Sequence, residues 1–440
     1  MHSKQQSQSF ILHIILRSAR VTLATAIMLA VTVSLSQAAL AQTYTVIHNF
    51  TGGLDGGNPY AGLTMDAAGN LYGTTCGAEC VAGTGTVFRL SKKSSGWFFT
   101  PLYTFQGGND GAGPAARVII GLDGSLYGTT YEGGGSGCGG SGCGTVFNLR
   151  PPANVSPNMM GGWTETVLYR FQGGSDGAYP ALGDLIFDQS GKIYGTTQNG
   201  GASNEGTVFQ LTPSPGGWVE NVLHAFALGG GDGAYPEAGV QIDSAGNLYG
   251  TTLWGGYGTV FELTPSASGW TETILHYFQG QSDGANPMGG VTLGGYGGIE
   301  VTTSVGGTSG GGTALVINNQ RLLYSFPGNT YTFPMPGPWS TLVNGPIGAS
   351  GTTYVDGAHQ SGSVFYMSGC DGWSAATLHD FTGGLDGAYP IVGLLFDANG
   401  NIFGTTSYGG GYGYGVVFEI TGAENLQTGS ADPSTCPKGR

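Results

Sequence analysis

Short apolar runs, five to nine residues long, alternate along the chain with clusters of Gly, Asn, Asp and Pro. Runs of that length, bounded by turn residues, predict β-strands. Self-comparison shows that the runs belong to one recurring unit. Each unit opens with a strand ending in Phe, followed by GG-x-DGA-x-P. An apolar strand ending in Asp comes next, then GN-LYGTT, a Gly-rich loop and GTVF-x-L. The strand-ending residues are Phe50, Phe105, Phe171, Phe226, Phe278, Phe326 and Phe381, spaced 48 to 66 residues apart. Seven copies are present, and those opening at Phe278 and Phe326 are eroded.

Each unit predicts four short strands. In the third they are expected over residues 180–188, 192–197, 206–212 and 218–226. Four strands in about 50 residues, repeated seven times, specify an all-β fold, the seven-bladed β-propeller. The Gly of each LYGTT strand, such as Gly195 and Gly250, is expected where neighbouring sheets approach closely. Tyr72, Tyr127, Tyr194, Tyr249 and Phe403 precede those glycines and are expected to fill the space between blades. The segment from Thr43 to Phe50 matches a fourth strand with no unit before it, and the last unit ends after Ile420 without one. The N-terminal strand is therefore expected to complete the last blade and remove both open edges.

Composition narrows the class further. Of 440 residues 86 are Gly, and only 9% are charged. Lys, Glu and Arg are too scarce for a helical bundle, while 40% apolar residues suffice for a core. The formal charge of −14, with no basic cluster beyond Lys92 and Lys93, disfavours nucleic acid and anionic membrane surfaces as partners. Residues 1–41 have the order of a secretory signal peptide: Lys4, Arg17 and Arg20, an apolar stretch from Val21 to Leu35, then Ala39-Leu40-Ala41. The expected organisation is a leader over 1–41, a propeller over 42–421 and a polar tail over 422–440. No later run is long enough to span a bilayer. A secreted, periplasmic or cell-surface monomer follows.

Six cysteines in an exported chain favour disulfides. The preferred pairing is Cys76–Cys80, Cys138–Cys143 and Cys370–Cys436. A four-Cys zinc site from the first two pairs is the rival, with spacings looser than the usual knuckles.

The unit resembles the GloVer tandem repeat, a Gly-rich repeat of exported bacterial proteins with varied C-terminal anchors. The resemblance rests on residues 378–384 (LHDFTGG), 386–390 (DGAYP) and 247–252 (NLYGTT), and it extends over about residues 43–421. It implies export and surface attachment but brings no reaction and no catalytic residues. The tail lacks the hydrophobic segment that an anchor needs. The order of motifs is also similar to that of NHL-type propellers, an analogy of fold only.

Three residue sets are candidates for chemistry. His48, His224, His276 and His379 lie two before the strand-ending Phe, where other units have Tyr103, Tyr169 and Tyr324. A position that accepts either residue reads as packing with a polar tip, on strands too far apart to share one metal. Asp55, Asp110, Asp176, Asp232, Asp283 and Asp386 occupy the Asp-Gly turn. There Asp bonds its own backbone, with local calcium binding as the alternative. No other cofactor is expected. Third, the residue before each turn Pro is Asn58, Gly113, Tyr179, Tyr235, Asn286 or Tyr389, at the rim of the central channel. Tyr179, Tyr235, Tyr389, Asn58 and Asn286 are the expected contacts for a carbohydrate or protein ligand on that face.

Enzyme motifs are missing or cheap. Residues 307–311 fit G-x-S-x-G but lie in a Gly run with no helix after it. Trp339, Asp356 and His359 stand outside the repeat pattern, where a specific site could have been built. The reading is an exported, non-catalytic binding module, possible ligands being carbohydrates or cell-surface polymers. The alternatives are a secreted carbohydrate-active hydrolase or lyase and a structural adhesion protein.

Overall fold

The computed structural model describes residues 42–77, 85–152, 162–180, 182–294, 298–328, 336–346, 348–368 and 373–423. Seven four-stranded antiparallel sheets succeed one another along these residues, and they are the blades of a β-propeller. Blades 1 to 7 are numbered here in chain order, and each runs from its innermost to its outermost strand. In blade 3 the strands are Ile186–Phe187, Ile193–Thr197, Thr207–Ser214 and Gly217–Ala225. Blade 7 holds Leu395–Phe396, Ile402–Thr406 and Val416–Thr421, and its outer strand is Thr43–Asn49 from the other end of the chain.

The innermost strands are much shorter than the repeat pattern predicts. Residues 180–188 pair with the second strand only at Ile186 and Phe187. The segment before such a strand is bonded instead from the preceding blade. The first Thr of the Thr-Thr pair in a second strand donates to a backbone carbonyl in the innermost segment of the next blade: Thr74 to Ala116 (3.1 Å), Thr196 to Ala238 (2.9 Å), Thr251 to Gly289 (2.9 Å) and Thr302 to Ser340 (2.9 Å). Thr405 of blade 7 donates in the same way to Ala61 of blade 1 at 2.8 Å. Blade 3 carries one extra residue after its turn Pro, and the matching Thr129 hydroxyl of blade 2 is buried without a partner among the described residues. In compensation Asp184, beside that insertion, pairs with Arg117 of blade 2 at 2.7 Å.

The core lies between blades. One cluster joins Val87, Phe105 and Leu102 of blade 1 to Val118, Leu126 and Phe147 of blade 2. Another joins Phe403 and Val417 of blade 7 to Leu63, Leu71 and Phe88 of blade 1. The strand-ending Phe meets the Phe of the next GTVF edge to face, as in Phe171–Phe209 at 5.1 Å and Phe226–Phe261 at 5.2 Å. The LYGTT glycine serves that ring and not a neighbouring sheet. Gly195 lies opposite Phe209 in the same blade, and a Cβ there would stand 2.6 Å from the tip of the Phe209 ring.

The structure contains the disulfide Cys138–Cys143, with Cα atoms 5.3 Å apart, and Cys76 is also disulfide-bonded. Cys80, Cys370 and Cys436 lie outside the described residues, as do the leader over 1–41 and residues 424–440 of the tail. Among the described residues no helix is long and apolar enough to cross a membrane.

The Gly195–Phe209 contact is directly testable. Gly195→Ala is expected to lower unfolding free energy by about 1–3 kcal/mol, the usual cost of overpacking. Phe209→Leu in the same chain should recover part of that loss. Urea unfolding of the two variants against the parent measures both effects.

Candidate functional site

The Asp-Gly turn lies over the ends of the second and third strands. Its Gly is packed too tightly for a side chain: a Cβ on Gly233 would stand 2.1 Å from the Thr252 hydroxyl. That contact holds the preceding Asp in one place, and there it meets the His or Tyr two before the strand-ending Phe. His48, His224, His276 and His379 face Asp55, Asp232, Asp283 and Asp386 at 3.1–3.2 Å. Tyr103 and Tyr169 donate to Asp110 and Asp176 at 3.0 Å. The same carboxylate oxygen accepts a backbone N–H, from Gln106 to Asp110 at 2.9 Å and from Gln172 to Asp176 at 2.8 Å. The interchange of His and Tyr therefore has a polar cause. Each places one hydrogen-bonding group at the same reach, and the two candidate sets form one clamp repeated around the ring.

At three seams a Glu on the outer strand of the following blade joins the clamp. Glu165 is pushed up to about 7 by burial and by the charge of Asp110. Glu220 is raised to about 7 by burial and by Asp176, and Glu272 to about 7 by burial and by Asp232. In all three the Oε1 atom is buried and accepts no hydrogen bond from a described residue. Sequence reading misses these acids because they lie in an outer strand remote in sequence from the turns they face. Their signal was a Glu six residues before Phe171, Phe226 and Phe278.

The residues before the turn prolines share one backbone geometry. Asn58, Tyr179, Tyr235, Asn286 and Tyr389 all have φ between 53° and 56°, and Gly113 has 62°. Asn and Gly adopt this left-handed region readily, whereas a Tyr holds it at a cost of about 1–2 kcal/mol. The Asn58 amide donates to the Ser407 carbonyl at 2.9 Å and the Asn286 amide to Leu253 at 3.2 Å, so both brace adjacent blades. The three tyrosines are placed differently. Tyr389 belongs to an arc of half-buried rings across blades 6 and 7 and into blade 1. Trp339 stacks on Tyr354 at 4.1 Å, Tyr354 lies 5.3 Å from Tyr389, and Tyr389 meets Tyr408 edge-on at 6.0 Å. The Tyr408 hydroxyl is 3.2 Å from that of Tyr60.

Tyr179 stacks on Tyr131 at 5.0 Å, and the Tyr131 hydroxyl donates to Gln198 at 3.3 Å. Gln198 in turn donates to Glu237 at 2.6 Å. Tyr235 is in neither cluster. Glu237 is only 7% exposed, and burial raises its pKa to about 7 against the pull of Gln198. It shares a channel cavity of about 560 Å³ with Trp339, Met288, Arg117 and Asp184.

Of the residues outside the repeat pattern, Trp339 alone joins the arc. Asp356 is half-buried, with its pKa raised by burial, and His359 is exposed on the following loop. The G-x-S-x-G match leads into the strand Gly310–Val316, not a helix.

Seven four-stranded blades, with clamps at the seams and an arc of aromatic rings across three of the blades, define a β-propeller repeat protein. The Gloeobacter/Verrucomicrobia repeat matches residues 31–257 and 241–431, and the chain belongs to that family. No curated protein matches it. Solved structures similar to it include one from Bacteroides uniformis, provisionally described as a 6-phosphogluconolactonase. That likeness has 14% identity and a TM-score of 0.34 over 79% of this chain and 77% of the other. A Dyadobacter fermentans protein of unknown function is similar at 13% identity and a TM-score of 0.39, over 86% of this chain and 97% of the other.

The seam acids have a stability consequence with a definite sign. A Glu raised from 4.5 to about 7 on folding stabilises the fold fully below pH 4.5, and that contribution is lost as pH rises through 7. Glu220→Gln should therefore match the parent in melting temperature at pH 5 and exceed it at pH 8. An equal difference at both pH values would show that Glu220 carries no proton in the fold.

Proposed function

We propose that this is an exported, non-catalytic binding module, and that its ligand is a neutral polysaccharide engaged at the channel rim. The observation that carries the reading is the arc Trp339–Tyr354–Tyr389–Tyr408–Tyr60. Flat rings with hydroxyl edges, half-open to solvent, suit the apolar faces and equatorial hydroxyls of sugar rings. The left-handed backbone at Tyr389 adds support, since the position is filled at lower cost by Asn in blades 1 and 5. An excess of 27 acidic over 13 basic residues favours neutral over anionic polymers. Export rests on the leader pattern of residues 1–41.

The test is pull-down of the chain from residue 42 onward on insoluble cellulose and chitin, with released reducing ends scored in the same tubes. Retention without release is expected. Tyr389→Asn keeps a residue that tolerates the backbone geometry and should weaken retention about three- to tenfold, the worth of one aromatic contact. Tyr235→Asn, outside both ring clusters, should leave it unchanged. Released sugar would establish a hydrolase or lyase instead, and loss of retention in both variants alike would remove the arc from the reading.

A further inference from the structure

The six Asp clamps are not chemically equal. At the seams of Asp110 and Asp176 the partners are a phenol and a Glu: Tyr103 with Glu165, and Tyr169 with Glu220. His48 and His379 stack on Phe99 and Tyr44, which occupy the repeat position of that Glu, and for His276 the position is taken by Gln320. Among the described residues, only the seam between blades 3 and 4 sets an imidazole and two carboxylates with one ligand atom of each within 4.8 Å of the others.

We infer that this seam is a binding site for a divalent transition-metal ion of the zinc class, held by His224 Nε2, Asp232 Oδ2 and Glu272 Oε1. The three atoms lie within 4.8 Å of one another. His224 Nε2 is 3.1 Å from Asp232 Oδ2 and 3.6 Å from Glu272 Oε1. Ligands about 2.0–2.2 Å from a tetrahedral ion stand roughly 3.3–3.6 Å apart, so the site needs little adjustment. Glu272 Oε1 is the atom that points to a missing partner. It is buried and accepts no hydrogen bond from a described donor, although His224 Nε2 stands 3.6 Å away and the Asp232 carboxylate faces it. One nitrogen and two carboxylate oxygens are a zinc-type donor set, whereas calcium takes six to eight oxygens. The side chains of His224, Asp232 and Glu272 keep 21%, 15% and 16% exposure, which leaves a fourth position for water.

Charge balance favours the same ion: two half-buried carboxylates face one imidazole, and a divalent cation held by all three would offset their charge. Because the ligands come from two outer strands and the loop between them, the ion would staple blade 3 to blade 4. This inference stands independently of the proposed ligand at the rim.

The experiment is calorimetric titration of the chain from residue 42 onward with zinc chloride, with melting temperature followed in zinc and in EDTA. One ion per chain and a higher melting temperature in zinc are expected. His224→Tyr turns the seam into the form present at Tyr103 and Tyr169, so it should fold and lose the uptake. Glu272→Gln is the second variant, and each should weaken uptake by more than about tenfold, the loss that even an outer-shell change can cause. No zinc uptake by the parent, or uptake unchanged in both variants, would overturn the assignment.

Discussion

A four-stranded sheet that is apolar on both faces is not stable alone in water, and each blade of this protein depends on its neighbours to cover it. The seams carry that burden. Clusters of Phe, Leu, Val and Ile lie between blades, with the strand-ending Phe set edge-on to the Phe of the next GTVF strand. At the seams other than that of Thr129, the Thr hydroxyls then fix the spacing, since each reaches one particular carbonyl of the following blade. A single such bond contributes only about 1 kcal/mol. Repeated from seam to seam, these bonds align the blades that the non-directional apolar contacts merely hold together.

The polar clamps follow from the same geometry. The Asp-Gly turn must pass close over the Thr side chains, which demands Gly and leaves the Asp facing the preceding outer strand. His or Tyr there completes it with equal reach. Where the next blade adds a Glu, two acids share a half-buried space and the weaker one keeps its proton near neutral pH. The seams thereby differ in chemistry while remaining alike in shape. The inner segments show the same freedom: the residue after the turn Pro is Tyr60, Glu237, Met288, Trp339 or Ile391 in five blades and Ala in the other two. Positions that pack against the neighbouring blade tolerate little change, and positions that face the channel or the outer edge of a seam tolerate a great deal.

The recurring motifs by themselves determined the class of fold, the number of blades and the strands of each. They do so because every blade buries the same surfaces, and so demands the same residues at the same places. The candidate positions were legible for the same reason, as the Asp turns, the His and Tyr before Phe and the residues before Pro all recur in register. What the repeat could not show was how these sets meet. The pairing of His224 with Asp232 and Glu272, and the arc from Trp339 to Tyr60, join residues of different units. Their proximity is created by the packing of one blade on the next. The short innermost strands and the role of Gly195 were likewise decided in three dimensions. There the backbone of each inner segment bonds across the seam, and a Phe ring needs the space above the glycine.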